Sequence, residues 1–217
     1  MEGRGNMSLN FTVYPNNRYI PTYKELLEHS SDKINNYLIS HGIKREIMID
    51  YDLKNIKKET SIKFSINDEY KWREESYVEI YIKGISGMAA SYFYNEMNEF
   101  EKEAWIENIN SDLKYKKMEK EIRKSIEIGY NWIFKRSAGQ PGIIVLIYGF
   151  FAASLAKLTD GIIYSDDGGW NYELLPAKAE DFFRFYLNSS TANNEYKEFT
   201  KNTLKLIRKE LGDIGNF

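Results

Sequence analysis

The sequence predicts an α+β protein, in which a mainly antiparallel sheet from the N-terminal half is covered on one face by helices, with a buried central helix near residues 142–159. Three observations predict this class. Apolar and polar residues alternate in short stretches between residues 9 and 82, which is the period of half-buried strands. No charged residue lies between Ser137 and Ala156, where apolar residues cover most of a helical wheel. Apolar residues follow helical spacing from about Asn95.

The first strand and the first helix are marked by the residues at their ends. A strand over residues 9–14 is predicted to end at Pro15, because its apolar residues alternate up to that turn-forming position. Thr22 and Glu25 have the spacing of a capping box, which predicts a helix that starts there and stops at Gly42. The predicted apolar face of this helix contains Leu26, Leu27, Ile34, Tyr37 and Leu38.

Three further alternating stretches predict half-buried antiparallel strands with one face in water. Trp72 lies among charged residues before the third stretch, and we expect it to pack beneath the loop rather than to anchor a partner. The apolar run from Met88 to Tyr94 fits either a strand or a helix. The apolar positions of the three stretches are Ile47, Ile49 and Tyr51, then Ile62, Phe64 and Ile66, then Val78, Ile80 and Ile82.

Two helices and one strand are predicted before the central helix. The helices lie between Asn95 and Gly129, and Ser111-Asp112 is predicted to break and cap them. Alternation over residues 130–134 predicts a strand that leads into the central helix. The predicted apolar faces are Phe100, Ile106, Ile109 and Leu113 for the first helix, and Tyr115, Met118, Ile122 and Ile126 for the second.

A hairpin and two helices complete the chain. Gly161 is predicted to end the central helix, because helices commonly end in a left-handed glycine. Residues 162–164 and 170–174 are predicted to be the strands of the hairpin, with Pro176 ending the second. A helix is predicted to start near Ala177 and another to span about residues 194–211. The first contains Phe182, Phe183 and Tyr186, and the second turns Phe199, Leu204, Ile207 and Leu211 inward and Lys197, Lys201, Lys205 and Arg208 toward solvent.

Length, charge and cysteine content limit the function classes. A chain of 217 residues can bury one sizeable core, so we predict a single domain over residues 9–217, after a disordered start or a cloning remnant at residues 1–8. The 30 basic and 32 acidic side chains give a net charge of -2, which disfavours direct binding to nucleic acid or to an anionic membrane. The absence of cysteine excludes disulfides and cysteine-bound zinc and fits the cytoplasm. No secretory signal is predicted, and the apolar segment is interpreted as a buried helix rather than a membrane span.

No sequence pattern identifies a reaction, so we expect neither an enzyme nor a cofactor or metal site. His29 and His41 lie twelve residues apart, which is not the spacing of two ligands on one helical face, and both are predicted to be structural or surface residues. No Gly-x-Ser-x-Gly sequence is present. The glycine pair in residues 84–87 lacks the continuation of a phosphate-binding loop.

An acidic turn after the central helix is the one candidate site. Aspartate and glycine are what a tight hairpin turn requires, so the cluster has a structural explanation, and Trp170 has one as well if it packs on the central helix. The same carboxylates, flanked by aromatic residues, also suit an interface with a basic partner, a divalent cation or an acid and base pair. The candidate partner-binding residues are Asp160, Tyr164, Asp166, Asp167, Trp170 and Glu173.

Several pieces of the sequence follow a pattern seen in a known protein class. They are Arg136-Ser137-Ala138-Gly139-Gln140-Pro141, the run from Ala153 to Gly161, Ser165-Asp166-Asp167-Gly168 with Trp170, and the earlier Tyr19-Ile20-Pro21-Thr22. Through the pieces in residues 130–187, the chain resembles immunity proteins of bacterial polymorphic toxin systems, of the contact-dependent growth inhibition type.

This resemblance implies a cytoplasmic protein without enzymatic activity, which binds the toxin domain delivered by a rival cell and occludes it. It carries over no catalytic residue. The implied partner is the C-terminal domain of a cognate toxin, and a basic nuclease would suit the acidic turn. Two alternatives stay open: a small enzyme of unknown class with its site near residues 160–173, and a structural or regulatory interaction module.

Overall fold

A computed structural model describes residues 8–165 and 172–213, and seven strands in these ranges form one sheet. They are β1 (Ser8–Tyr14), β2 (Ile49–Asn55), β3 (Ser76–Ile82), β4 (Ala89–Tyr94), β5 (Asn131–Ser137), β6 (Ile162–Tyr164) and β7 (Ala177–Lys178). The strand order is β2-β3-β4-β5-β1-β6-β7, and every neighbouring pair is antiparallel. The predicted α+β class with a mainly antiparallel sheet is therefore confirmed.

Helices account for most of the remaining described residues. They are α1 (Tyr23–Ser40), α2 (Glu99–Ser111), α3 (Leu113–Lys116), α4 (Glu119–Ile128), α5 (Gly142–Leu158), α6 (Ala179–Phe185) and α7 (Asn194–Asp213). A short 3-10 turn covers Tyr172–Leu174. None of these helices has the length and apolar character that a membrane span requires, within the ranges that the structure describes.

Helix α5 is the centre of the molecule. Every residue from Gly142 to Ala156 is buried, because α5 packs on β1 and β5 and contacts α1, α6 and α7. Gly149 lets the ring of Tyr186 approach the helix, and the Tyr186 hydroxyl donates to the carbonyl oxygen of Val145 at 2.6 Å. The predicted buried helix near residues 142–159 is confirmed.

Helices cover both faces of the sheet, not the single face that the sequence suggested. Side chains alternate between the faces along a strand, so Tyr14 and Ile162 point away from the main core, whereas Val13 and Ile163 point into it. Helices α2, α3 and α4 bury this second set, with the Trp105 ring edge-on to Tyr14 at a centroid distance of 5.2 Å. The second helical layer exists because Tyr14, Ile162 and Tyr164 give this end of the sheet an apolar patch on its second face.

Several predicted boundaries are confirmed. The Thr22 hydroxyl accepts the N–H of Glu25 at 3.1 Å, and the Glu25 carboxylate accepts the N–H of Thr22 at 2.7 Å, which completes the capping box. Asp112 caps α3, and Gly129 ends α4 in the left-handed conformation with φ of 81°. Trp72 packs against the main core beneath its loop, as predicted.

The predicted strand at Ile62, Phe64 and Ile66 is wrong. Ile62 and Ile66 are 36% and 40% exposed. The carbonyl oxygens of Asp68 and Ile66 accept hydrogen bonds from the first two N–H groups of α1, at 3.1 and 2.8 Å. Ile66 and Asp68 therefore satisfy N–H groups that a helix start leaves free, and no strand spans residues 62–66.

The end of α5 and the following hairpin also differ from the prediction. Asp160, with φ of 51°, is the left-handed residue. Gly161 is required for another reason, since a Cβ there would lie 2.4 Å from the carbonyl oxygen of Tyr14. The strand that returns to β6 is β7, so residues 172–174 are not that strand and α6 starts at Ala179. Pro176 precedes β7, where its missing N–H removes no ladder hydrogen bond.

Two predicted helix faces are partly wrong. Phe100 and Leu113 are 81% and 70% exposed, and Trp105 and Ile109 are the buried residues of α2. The large indole ring and Ile109 lie four residues apart and so define the buried stripe. Phe199 is exposed on α7, whereas the other predicted inward residues, Leu204, Ile207 and Leu211, are buried.

Helix α5 starts with a cap that another helix supplies. The carboxylate of Glu210 on α7 accepts the N–H groups of Gly142 and Ile143, at 2.8 and 2.9 Å. A carboxylate satisfies N–H groups that the helix start leaves free, and the helix dipole favours it there. Pro141, at the position before the helix, makes no side-chain capping bond.

We expect Glu210→Ala to lower the free energy of unfolding by about 2 kcal/mol, because two charge-assisted hydrogen bonds are lost. Urea denaturation measures the change. Glu198→Ala is the control, since Glu198 is an exposed residue of the same helix whose ion-pair partner, Lys201, lies 3.9 Å away, and we expect an effect below about 0.5 kcal/mol. Equal losses in both variants would show that the cap does not stabilise α5.

Candidate functional site

Three residues of the predicted acidic turn lie within the described part of the chain. Asp160 is exposed at the end of α5, and Glu173 is exposed in the 3-10 turn. Tyr164 is half-buried on β6, with its ring centroid 4.8 Å from that of Trp105. The other three predicted residues, Asp166, Asp167 and Trp170, lie outside the described residues.

Asp160 lies in a groove that is rich in lysine. It lines a groove of about 180 Å³ together with Lys120, Lys124 and Lys178. Lys178 also forms an ion pair with Glu121 at 2.7 Å, and this bond, with a further contribution from Asp160, raises the pKa of Lys178. Asp160 therefore shares its groove with several lysines.

The histidines and carboxylates of the described ranges do not suggest a metal centre. No three His, Asp or Glu side chains in residues 8–165 and 172–213 could together hold a metal ion. His41 Nδ1 lies 2.8 Å from the carbonyl oxygen of Tyr37 at the end of α1. His29 is half-buried, and burial lowers its pKa. His29 thus lies on α1, and His41 directly follows this helix.

A larger candidate site lies on the part of the sheet that α2, α3 and α4 leave uncovered. Strands β2 to β5 turn one set of side chains into the main core, and the alternate set is exposed or half-buried. We call this alternate set the open sheet face. It consists of Asp50, Asp52, Lys54, Tyr77, Glu79, Tyr81, Ala90, Tyr92, Tyr94, Ile133 and Lys135.

Side chains of the open sheet face contact one another from strand to strand. The rings of Tyr77 and Tyr92 stack, with centroids 5.6 Å apart and an angle of 17° between the planes. Lys135 Nζ lies 5.0 Å from the centroid of the Tyr92 ring. The Tyr77 hydroxyl donates to Glu79 at 3.1 Å, and burial together with this bond raises the pKa of Tyr77 to about 12. These contacts order the face in the free protein.

Helix α2 forms a wall beside the open sheet face, and a cleft of about 470 Å³ lies between the two. The Tyr14 hydroxyl donates to Glu101 Oε1 on this wall at 2.6 Å, and Asn131 Nδ2 lies 3.4 Å from the same oxygen. Burial, and then the charge of Glu101, raises the pKa of Tyr14. The cleft is also lined by Tyr164, so one predicted site residue does belong to this surface.

The open sheet face and the cleft carry a surplus of negative charge. Their five carboxylates and two lysines leave three negative charges, against -2 for the whole chain. Lys54 is ion-paired with Asp52 at 2.7 Å, so its charge is already engaged within the face. The five carboxylates are those of Asp50, Asp52, Glu79, Glu96 and Glu101, and the lysines are Lys54 and Lys135.

Sequence reasoning recognised that these strands have a wet face but missed its composition. Tyrosines occupy the outward positions of β3 and β4, at Tyr77, Tyr81, Tyr92 and Tyr94. Large aromatic residues on the wet side of a strand are the signal that could have identified the surface, because tyrosine is enriched in protein interfaces. An ordered acidic surface rich in tyrosine can bind a protein with a basic surface. Protein-family models, curated proteins and solved structures give no match to this chain.

Proposed function

We propose that this protein is an immunity protein, which acts in the bacterial cytoplasm by binding the toxin domain of an interbacterial competition system and occluding its active site. The open sheet face carries the proposal, because it is an uncovered, acidic surface with four tyrosines on a rigid sheet. The resemblance of residues 130–187 to immunity proteins supports the same function.

The order of the face favours tight binding. Side chains that become fixed only in the complex reduce affinity by about 0.5–1.5 kcal/mol each. Here Tyr77, Tyr92 and Lys135 already hold one another in place, and Lys54 is fixed by Asp52. Tyrosine also buries a large area with only two rotatable bonds. A toxin domain would therefore meet a surface that needs little rearrangement.

The charge of the face indicates the chemistry of the partner. A toxin that cleaves nucleic acid must present cations to bind phosphates. Carboxylates such as Asp50 and Glu96, which make no ion pair in the described part of the chain, would pair with those cations and so block the phosphate site. Opposite charges on the two proteins would also speed their association.

The size of the open sheet face indicates that α2 also contributes to the interface with the toxin domain. Four strands about 4.8 Å apart and about 20 Å long offer roughly 350 Å² in plan. A stable interface buries about 800 Å² on each partner. We therefore expect the toxin domain to contact Glu101 and Phe100 on α2 as well as the sheet.

The proposal is tested by a pull-down of the tagged full chain against the product of the neighbouring gene, followed by calorimetry on the retained protein. We expect a 1:1 complex with a toxin domain and a dissociation constant in the nanomolar range. Co-expression should also protect cells from that toxin domain.

Failure to bind, together with a neighbouring gene that encodes no toxin, would contradict the proposal. The alternative of an enzyme near residues 160–173 would then be examined with Asp166→Asn and Asp167→Asn in metal and ligand screens. An isolated gene with an abundant house-keeping partner would instead favour an interaction module.

A further inference from the structure

A second cleft, of about 640 Å³, lies where β2 ends and β3 begins. Its volume is within the range of about 300–1,000 Å³ that is typical of small-molecule sites. Aromatic side chains form its floor and basic side chains its rim. The floor consists of Tyr23, Phe64 and Trp72, and the cations are Lys57, Lys58, Lys63, Lys71 and Arg73.

The aromatic floor is held in a fixed position. Trp72 Nε1 donates to the carbonyl oxygen of Ser76 at 2.9 Å, which sets the plane of the indole. The rings of Phe64 and Tyr23 pack with centroids 4.5 Å apart. Phe64 and Trp72 are only partly buried, so each presents part of its ring to the cleft, whereas Tyr23 is buried. The Tyr23 hydroxyl has no hydrogen-bond partner among the described residues.

The cations of the rim are mostly uncommitted. Lys71 is ion-paired with Glu69, but Lys57, Lys58, Lys63 and Arg73 form no ion pair within residues 8–165 and 172–213. The two carboxylates that line the cleft, Asp68 and Glu75, leave a surplus of three positive charges against its five cations. Asp68 is occupied, because it accepts the N–H of Ser65 at 2.8 Å.

Two of these lysines are presented by a fixed turn. The Asn55 side chain accepts the N–H groups of Lys57 and Lys58, at 3.1 and 3.0 Å. The N–H of Glu59 donates to the carbonyl oxygen of Asn55 at 2.9 Å, and Glu59 adopts φ of 51°. Both lysine backbones are therefore held at the mouth of the cleft, and only their side chains must become ordered when an anion binds.

We propose that this cleft binds a nucleoside phosphate, with the base against Trp72 and Phe64 and the phosphates held by Lys57, Lys58 and Arg73. Base stacking on an aromatic ring and phosphate pairing with cations are the two interactions that such a ligand requires, and the cleft places both within one small volume. A flat acidic peptide would need an extended groove or a free strand edge. Here the edge of β2 is not free, because residues 60–62 lie along it. The N–H of Ile62 donates to the carbonyl oxygen of Leu53 at 2.7 Å.

The proposal does not depend on the immunity function, and calorimetry on the full chain tests it with ADP, adenosine and pyrophosphate as probes. We expect ADP to bind about tenfold or more tightly than either fragment, because only ADP uses both the rings and the cations. Lys57→Glu with Lys58→Glu should weaken ADP binding by about tenfold or more. The matched control, Lys197→Glu with Lys201→Glu on the exposed side of α7, should leave it unchanged.

Trp72→Phe separates stacking from charge, because it keeps an aromatic ring in the core while removing the larger indole surface. It should weaken ADP binding and leave pyrophosphate binding unchanged. The proposal is overturned if ADP shows no saturable binding or if pyrophosphate binds as tightly as ADP. It is also overturned if the α7 control weakens ADP binding as much as Lys57→Glu with Lys58→Glu, the cleft variant. It is equally overturned if an oligoglutamate peptide binds with the expected dependence on the cleft variant and ADP does not. Circular dichroism of each variant checks that it is folded.

Discussion

Raising the pH above about 10 is expected to unfold this protein within one to two pH units, because buried tyrosines resist ionisation in the folded state. Among the described residues, six tyrosines are buried and have a pKa raised above the ordinary value. Burial is the first cause of the shift in each, and for Tyr14 the neighbouring Glu101 adds to it. These residues are Tyr14, Tyr23, Tyr51, Tyr70, Tyr115 and Tyr186.

The sign follows from the difference between the two states. In the unfolded chain these tyrosines ionise near their ordinary pKa of about 10, whereas in the folded protein they keep their protons to higher pH. Their contribution to stability is therefore complete below pH 10 and is lost as the pH rises toward the folded pKa values. Above pH 10, each of these tyrosines lowers the free energy of unfolding by about 1.4 kcal/mol per pH unit, so six lower it by about 8 kcal/mol per unit. The free energy of unfolding of an ordinary domain is only about 5–15 kcal/mol in total.

Tyrosinate absorbance and far-ultraviolet circular dichroism, recorded together against pH, check this expectation. The buried tyrosines should ionise in one cooperative step that coincides with loss of secondary structure. Ionisation of all tyrosines near pH 10 with the circular dichroism unchanged would contradict it.

Tyr51→Phe tests the contribution of a single group. The Tyr51 hydroxyl is buried without a hydrogen-bond partner in the described ranges, so its removal should cost little at neutral pH. The variant should release about one proton fewer on unfolding and unfold at higher pH. Tyr94→Phe is the control, since Tyr94 is exposed, and the pH of unfolding should stay the same.

Local signals predicted most elements of the fold. The capping box at Thr22 and Glu25, the break at Asp112 and the uncharged run of α5 each act through neighbours close in sequence, and each is confirmed. The failures depended on distant partners. Residues 62–66 alternate like a strand, but the carbonyl oxygen of Ile66 accepts the N–H of Lys24 at the start of α1. Gly161 is fixed by the carbonyl oxygen of Tyr14 and not by its own backbone angles.

The candidate site was less predictable than the fold. The open sheet face exists only because the register places Tyr77 beside Tyr92, and β4 beside β5, so that Lys135 reaches the same ring. These residues are far apart in the sequence, and nothing local pairs them. Which part of a sheet stays uncovered also depends on where α2 packs, and that is decided by Trp105 rather than by the predicted Phe100.

Replacing the stacked tyrosines should have the largest effect on binding to the cognate toxin domain. We expect Tyr92→Ala to weaken it by about 30-fold, which corresponds to the roughly 2 kcal/mol of an interface hot spot. Tyr77→Ala combined with Tyr92→Ala should weaken it by about 100-fold to 1,000-fold, with a total that departs from additivity because the two rings are in contact. The measurement is calorimetry or surface binding kinetics with the purified toxin domain.

The control for these variants is Tyr19→Ala, which removes an exposed tyrosine in the loop before α1. It should leave the affinity unchanged. Each lost cross-strand contact should destabilise the fold by only about 0.2–1 kcal/mol, so the tyrosine variants should remain folded, and thermal unfolding verifies this. A weakened affinity in all three variants would show a general loss of structure and not a contact on this face.

Replacing carboxylates of the open sheet face and the cleft should change mainly the association rate constant of the complex. Asp50→Lys with Glu96→Lys is expected to slow association by about tenfold at low salt and to reduce its dependence on ionic strength, because charge steers the encounter. The control with the same change in net charge is Asp32→Lys with Glu198→Lys, on the exposed sides of α1 and α7. Tyrosine variants should mainly raise the dissociation rate, since buried anchors determine how long the complex lasts. Tight binding that ignores both sets of changes would keep the immunity function and place the interface elsewhere, with residues 160–173 the next surface to change.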